Sequence, residues 1–319
     1  MRADVERWFA RRTFAASSFT VDQLIAAKGD TRISVVIPAL DEQDTVAAVV
    51  RSCQVPGLVD EVIVMDAGSS DATAQEAVAA GARVVLEQEV LPRLGRVRGK
   101  GEALWKSLFV TSGDVIVFVD ADIRDPDSRF VIGLLGPLLT DPDLSFVKAC
   151  YDRPLSVDGT LQATGGGRVT ELVARPIIAA HWPSLSGIVQ PLSGEYAGRR
   201  SLLERVPFIG GYGVELGLLI DVLDTVGVDA IAQVDLGRRV HRNQPDEALG
   251  RMAAAIWQAA MARLTGEGRM VARDEPGHVL TQFSRDADGR LVGRSSDVVV
   301  TERPPMATIK EYAARVGSA

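Results

Sequence analysis

Cysteine is almost missing from this chain: Cys53 and Cys150 are the only two in 319 residues. Two are too few to staple a domain of this size, and they lie too far apart for a closely spaced ligand pair. A disulfide framework is thereby excluded, and a reducing, cytoplasmic setting is expected. Long apolar runs are missing as well. No window approaches the ~18 apolar residues of a membrane span, and the apolar stretch 216–223 is broken by Asp221, which marks a buried helix stripe. Residues 1–14 carry charges throughout, without the apolar core of a secretion signal, so a soluble protein with no membrane partner is expected. An excess of positive charge is the third absence. The formal net charge is −7, and because phosphate backbones are bound mainly through clustered cations, no nucleic-acid partner is expected. Internal repeats and low-complexity tracts are not found.

What the chain does contain is ordinary for a folded protein, with 46% hydrophobic and 24% charged residues. Its length suits one large α/β domain with an appendage. Between residues 31 and 144, short β-branched runs alternate with helical stretches. Strands are predicted at 33–37, 61–65, 83–86 and 115–119, and helices at 44–52, 72–80 and 100–111. That alternation predicts an α/β fold with a mostly parallel central sheet flanked by helices, a Rossmann-like nucleotide half over 31–150. Residues 1–30 read as an N-terminal helical extension suited to packing or dimerisation. The remainder, 151–319, continues the same domain with helices expected at 169–180, 214–226 and 252–264 and a hairpin-like excursion at 276–300.

Ligands of open parallel sheets bind beyond the carboxyl ends of the strands, which directs attention to the residues that follow each one. After the first comes Pro38-Ala39-Leu40-Asp41-Glu42, whose acids also suit a plain helix start. After the second comes Asp66-Ala67-Gly68-Ser69-Ser70-Asp71, either a connector or a turn that holds a nucleotide while Asp66 reads its base. After the fourth comes Asp120-Ala121-Asp122. Two carboxylates delivered beyond a buried strand can bind a hard divalent cation, which bridges the phosphates of a nucleotide diphosphate. Gly165-Gly166-Gly167-Arg168-Val169-Thr170 leads into a helix, where amides, a hydroxyl and a guanidinium converge on an anion; a flexible loop with an exposed Arg is the plainer reading. Arg238, Arg239, His241, Arg242 and Asn243 follow the strand-like 230–234 and suit an anion or a solvated basic loop. Glu215 opens a helix, where first-turn charge complementarity competes with binding of a sugar hydroxyl.

Taken in order, residues 35–42, 66–71 and 120–122 resemble the successive signatures of GT-A glycosyltransferases. Gly99-Lys100-Gly101-Glu102-Ala103-Leu104-Trp105, residues 165–170, Gln190-Pro191-Leu192-Ser193-Gly194-Glu195-Tyr196-Ala197 and Tyr212-Gly213-Val214-Glu215 further resemble the glucosyl-3-phosphoglycerate synthases, over roughly residues 31–243. The resemblance implies a GT-A fold, a UDP-glucose donor, 3-phosphoglycerate glucosylated on its 2-hydroxyl with retention, Mg²⁺ or Mn²⁺, an early step towards methylglucose lipopolysaccharides, and a homodimer. Carried onto matching positions, it implies that Pro38, Ala39, Leu40, Glu42, Ser69, Lys100, Asp120, Ala121, Leu192 and Glu215 bind the donor. Gly167, Arg168, Thr170, Tyr212 and Asn243 would bind the acceptor, Asp122 and His241 the metal, and Glu215, Asp120 and Arg239 would serve catalysis. Asp41 departs from the pattern, which often has Asn there.

Three other functions compete. An inverting transferase would use Glu215 as general base towards another acceptor, such as a lipid phosphate, although no membrane segment accompanies it. A sugar-nucleotidyltransferase would need a Gly-rich, cationic triphosphate loop near the first strand, and none is found. A nucleotide-sugar sensor would keep the binding residues without turnover.

Overall fold

In the computed structural model, residues 1–152, 155–157, 160–162, 167–239, 245–274 and 277–316 are described. The chain opens with α1 (Ala3–Arg12), β1 (Thr13–Ala15) and α2 (Val21–Lys28), so the expected helical extension also contains a strand. Trp8 fastens α1 by donating its indole N–H to the carbonyls of Val228 at 2.9 Å and Ile231 at 3.1 Å. The alternating region then runs β2 (Ile33–Ala39), α3 (Val46–Cys53), β3 (Glu61–Asp66), α4 (Thr73–Ala79), β4 (Arg83–Leu86), α5 (Lys100–Val110) and β5 (Val115–Phe118). Next come α6 (Arg129–Thr140), β6 (Phe146–Asp152), and the short pair β7 (Leu155–Val157) and β8 (Thr160–Gln162). A π-helical turn, Thr170–Ala174, leads into α7 (Arg175–His181), followed by β9 (Tyr196–Arg199), α8 (Arg200–Leu203) and β10 (Phe208–Ile209). The rest comprises α9 (Val214–Val226), β11 (Ile231–Arg238), α10 (Asp246–Gly266), the hairpin β12 (Val279–Arg285) and β13 (Leu291–Asp297), β14 (Glu302–Arg303) and α11 (Lys310–Val316).

Eight strands form one sheet in the order β1-β11-β6-β9-β5-β2-β3-β4. Neighbours run parallel except around β9, which is antiparallel to both β5 and β6. The apolar runs of β2, β3 and β5 are near-continuous because both faces are covered. Val36, Ile63, Met65, Ile116 and Phe118 point into a core shared with α5 and α9, whereas Val35, Ile37, Val62, Val64, Val115 and Val117 point into the opposite core with α3 and α6. α9 is apolar on nearly every side and is buried accordingly, with Leu216, Leu218, Leu219, Ile220 and Val222 all inside.

Several boundaries differ from expectation for tertiary reasons. α10 spans 21 residues rather than the central thirteen expected. The helix expected over 169–180 is split into a π-turn and α7, with Pro176 inside α7's first turn, where a missing N–H costs least. The excursion expected over 276–300 is the β12–β13 hairpin.

Candidate active site

The carboxyl ends of β2, β3, β5, β6 and β11 share one edge of the sheet, and because β9 runs the other way its beginning lies there too. A cleft of about 770 Å³ opens along that edge, beside the N-termini of α5 and α9. Pro38, Ala39, Leu40, Glu42, Lys100, Asp120, Ala121, Asp122, Leu192, Tyr212 and Glu215 line it. Of the expected site residues, Ser69, Gly167, Arg168, Thr170 and Arg239 are not among the described residues that line this cleft. His241 and Asn243, like Gly165 and Gly166, lie outside the described residues.

The turns after β2 and β3 are zipped together. Asp66 is buried, and its Oδ1 accepts from the amides of Gly68 at 3.1 Å and Ser69 at 2.8 Å and from the Ser69 hydroxyl at 2.7 Å. This oxygen shapes the turn, and Asp66 is not among the described residues that line the cleft. Ser69 Oγ in turn accepts from the Asp41 amide at 3.0 Å, which ties the two turns to each other. Asp41 has the left-handed φ of 55° and accepts from the Ser70 amide at 2.8 Å. Asp and Asn are among the few side chains that tolerate that conformation, which accounts for either residue at this position.

The floor of the cleft is a charged cluster. Lys100, in the first turn of α5, is ion-paired with Asp120 and lies 3.1 Å from Glu215 Oε1. Burial opposes its charge, yet Asp120 and Glu215 outweigh burial and raise the ammonium's pKa well above its ordinary value. Gly194 makes this approach possible: a Cβ there would stand 2.0 Å from Asp120 Oδ2 and 2.5 Å from Lys100 Nζ. Arg239, immediately after β11, is 5% exposed and reaches both aspartates, with Nη2 2.8 Å from Asp122 Oδ1 and 3.3 Å from Asp120 Oδ2. Its other arm, Nη1, lies 2.9 Å from Glu195 Oε1 and donates to Tyr151 Oη at 2.7 Å. Burial works against the guanidinium's charge as well, and Glu195, Tyr151 and the two aspartates reverse the balance. For Glu195 burial pushes the carboxyl pKa up, with Arg239 pulling the other way. Lys148, wholly inside, is lowered to about 7 by burial.

Asp120 and Asp122 offer hard oxygen donors of the type Mg²⁺ or Mn²⁺ takes, and two carboxylates suffice when a nucleotide brings phosphate oxygens of its own. Among the described residues no group of three or more His, Cys, Asp and Glu could hold a metal unaided. Completed by phosphate oxygens, this pair of carboxylates fits a cation that arrives with a nucleotide. Arg168 stands apart, ion-paired with Asp246 at the start of α10, beside Gly167 with its left-handed φ of 82° and the buried Thr170.

Sequence reasoning gave no role to several participants. Arg96, Arg98, Glu87, Gly194, Met252 and Ile256 also line the cleft. Arg303 of β14 holds the loop that carries the two arginines, donating to the carbonyls of Leu94 at 2.9 Å and Gly95 at 2.7 Å. Glu195 and Tyr151 were inconspicuous because a single acid or tyrosine beside an apolar strand resembles a surface position; the charge directly before a buried run was the available signal.

Comparison with known proteins matches residues 34–205 to the family "Glycosyl transferase family 2". A glucosyl-3-phosphoglycerate synthase of Mycolicibacterium smegmatis is 49% identical over 306 residues, 95% of this chain and 98% of the relative. The crystal structure of mannosyl-3-phosphoglycerate synthase from Rubrobacter xylanophilus superposes with a TM-score of 0.88 at 38% identity, covering 95% of this chain and 99% of that one. The crystal structure of glucosyl-3-phosphoglycerate synthase from Mycobacterium tuberculosis in complex with Mn²⁺, UDP-glucose and phosphoglyceric acid superposes with a TM-score of 0.79 at 47% identity, covering 90% and 94%. No described helix is long and apolar enough to cross a membrane.

Proposed function

The chain belongs to glycosyl transferase family 2 and, within it, to the glucosyl-3-phosphoglycerate synthases, and from that premise we propose that it transfers glucose from UDP-glucose to the 2-hydroxyl of 3-phosphoglycerate, with retention at the anomeric carbon and with a divalent cation. The observation that carries this reading is the charged floor, where Lys100, Asp120, Asp122, Glu215 and Arg239 meet beside the wall formed by Pro38, Ala39 and Leu40. A relative solved with Mn²⁺, UDP-glucose and phosphoglyceric acid supports it.

Bound with the nucleotide, Mg²⁺ or Mn²⁺ neutralises charge on the departing diphosphate. Asp122 and His241 would hold it, with Asp120, which shares Arg239 with Asp122, supporting the site. Pro38, Ala39, Leu40, Glu42 and Ser69 form or support the uridine wall, and Lys100 faces the phosphates, its charge secured by Asp120 and Glu215. Ala121 and Leu192 complete the donor pocket. Gly167, Arg168, Thr170, Tyr212 and Asn243 bind the acceptor's phosphate and carboxylate. Because Glu215 is ion-paired with Lys100, it suits orientation of sugar hydroxyls better than removal of a proton. In a retaining transfer the acceptor hydroxyl can give its proton to the departing β-phosphate on the same face, so no enzymic base is needed. We place the reaction early in methylglucose lipopolysaccharide biosynthesis, in the cytoplasm, carried out by a homodimer.

A second reading, transfer of mannose, is favoured by the 0.88 TM-score to the mannosyl enzyme, higher than the 0.79 to the glucosyl one. One experiment addresses both. Purified protein is incubated with Mn²⁺ and either UDP-glucose or a nucleotide-mannose, with and without 3-phosphoglycerate, while nucleotide release and the product's anomeric proton are followed. The expected result is acceptor-dependent UDP release with an α-linked glucoside. A β-linked product would instead assign Glu215 as the base of an inverting enzyme, preference for the mannosyl donor would establish the second reading, and pyrophosphate release would indicate nucleotidyl transfer.

A further inference from the structure

The charged floor rests on three consecutive residues, Ser193, Gly194 and Glu195, that lead into the antiparallel strand β9. Lys100 and Arg239 of the floor, and the buried Lys148 beneath it, are each attached to one of them. Lys148 Nζ donates to the Ser193 carbonyl at 2.7 Å, Lys100 Nζ to the Gly194 carbonyl at 3.4 Å, and Arg239 Nη1 pairs with the Glu195 carboxylate at 2.9 Å. Tyr151, at the end of β6, closes the last of these contacts into a triangle: its hydroxyl donates to Glu195 Oε2 at 2.8 Å and accepts from Arg239 Nη1 at 2.7 Å. Glu195 is completely buried and Tyr151 is 4% exposed, and neither lines the cleft. They contact the guanidinium on the side away from the aspartates.

We infer that Glu195 and Tyr151 are positioning residues for the donor site: they fix one arm of Arg239 so that its other arm orients Asp120 and Asp122, and the Glu195 carboxylate offsets the guanidinium charge that would otherwise oppose a cation there. This rests on the cation-dependent reading given above. The physical argument is one of charge sharing. A buried Arg with no other anion would commit fully to the two aspartates and make them salt-bridge partners instead of cation ligands. With Glu195 satisfying Nη1, only Nη2 touches them, at 2.8 and 3.3 Å. Groups that orient metal-binding side chains from behind are worth about 10–100-fold in metal affinity or activity when removed.

The test measures Mn²⁺ binding from the loss of the free-ion electron paramagnetic resonance signal, with UDP saturating, in the parent protein, Glu195→Gln and Tyr151→Phe. Glu195→Gln is expected to weaken Mn²⁺ binding by about 10–100-fold and to lower kcat in parallel. KM for UDP-glucose should stay within about threefold, because the apolar nucleoside wall contributes its burial separately. Tyr151→Phe removes one hydroxyl at constant shape and should produce a smaller shift of the same sign, about threefold; it keeps the test decisive if the Gln variant does not fold. A contribution to stability alone would lower the melting temperature and leave the Mn²⁺ affinity of folded protein unchanged, and that result in Tyr151→Phe overturns the inference. Absence of Mn²⁺ binding by the parent protein would bring down the cation-dependent reading and this inference with it, so the two failures are told apart by the parent alone.

Discussion

Arg168 pairs with Asp246 across the gap between two helical segments and keeps 43% of its side chain exposed. Such a guanidinium is available to an anion, and the proposed acceptor carries two anionic groups. Arg168→Ala should raise KM for 3-phosphoglycerate by about tenfold, the worth of one or two charge-assisted hydrogen bonds, while KM for UDP-glucose changes less than about twofold. Initial rates with each substrate varied in turn check this, and an unchanged acceptor KM removes Arg168 from the acceptor site. Glu87 presents a different case. Burial pushes its pKa up to about 7 despite the pull of Lys106, so the folded chain holds a proton that the unfolded chain has already released. Its stabilising contribution is complete below the ordinary carboxylate range and is lost as pH rises towards 7. Glu87→Gln, which cannot titrate, should therefore flatten the fall in unfolding free energy between about pH 4.5 and 7, by an amount on the order of 1–3 kcal/mol. Asp221, raised to about 6 by burial, has the same sign, so urea denaturation must be read as the difference from the parent; parallel curves would reject the assignment. At this scale the sequence was legible where residues follow a strand, as with Asp120 and Asp122. It was opaque for Glu195 and Lys148, whose importance comes from neighbours distant in sequence.

At the scale of elements, the strands and helices from β2 to β5 were readable because both faces of the sheet are buried and strong helix formers separate the strands, with α3 burying Val46, Val49, Val50 and Cys53 at helical spacing. α6 was not read. Gly133, Gly136 and Pro137 interrupt its pattern, and the reason lies outside the helix: a Cβ on Gly136 would meet the Phe19 ring at 2.3 Å. The N-terminal segment thus packs directly onto the helix backbone. Gly136→Ala should force that ring aside and destabilise the fold by about 1–3 kcal/mol, the usual cost of overpacking. Paired with Phe19→Ala, whose own cavity cost is separate, it should become markedly less harmful; a double-mutant cycle with additive effects would show that the two do not communicate. The direction of β9 was also hidden. Four residues, Tyr196–Arg199, carry too little pattern to say which neighbours they join, and the reversal is set by pairing with β5 and β6. Without that reversal, Glu195 would start from the opposite edge of the sheet.

At the scale of the whole molecule, the cleft is built from segments far apart in the chain, from Pro38 to Ile256. A ligand bound there is linked to the stability of the entire sheet, not of one lobe. UDP with Mn²⁺ at a hundredfold excess over its dissociation constant should add about 2.7 kcal/mol, a rise in melting temperature of roughly 5 °C, and EDTA should remove most of it. Equal shifts with and without the cation would separate nucleotide binding from the metal. The same interleaving governs how the molecule is made. β1 pairs in parallel with β11, Thr13 opposite Gln233, and Trp8 bonds to Val228 across 220 positions of sequence. At ordinary translation rates of about 5–20 residues per second, β1 must wait roughly 10–40 seconds for its partner to be synthesised. During that interval the nascent chain exposes Trp8 and an unpaired strand at the ribosome exit, and this opening segment can take its place only after some two hundred later residues have emerged.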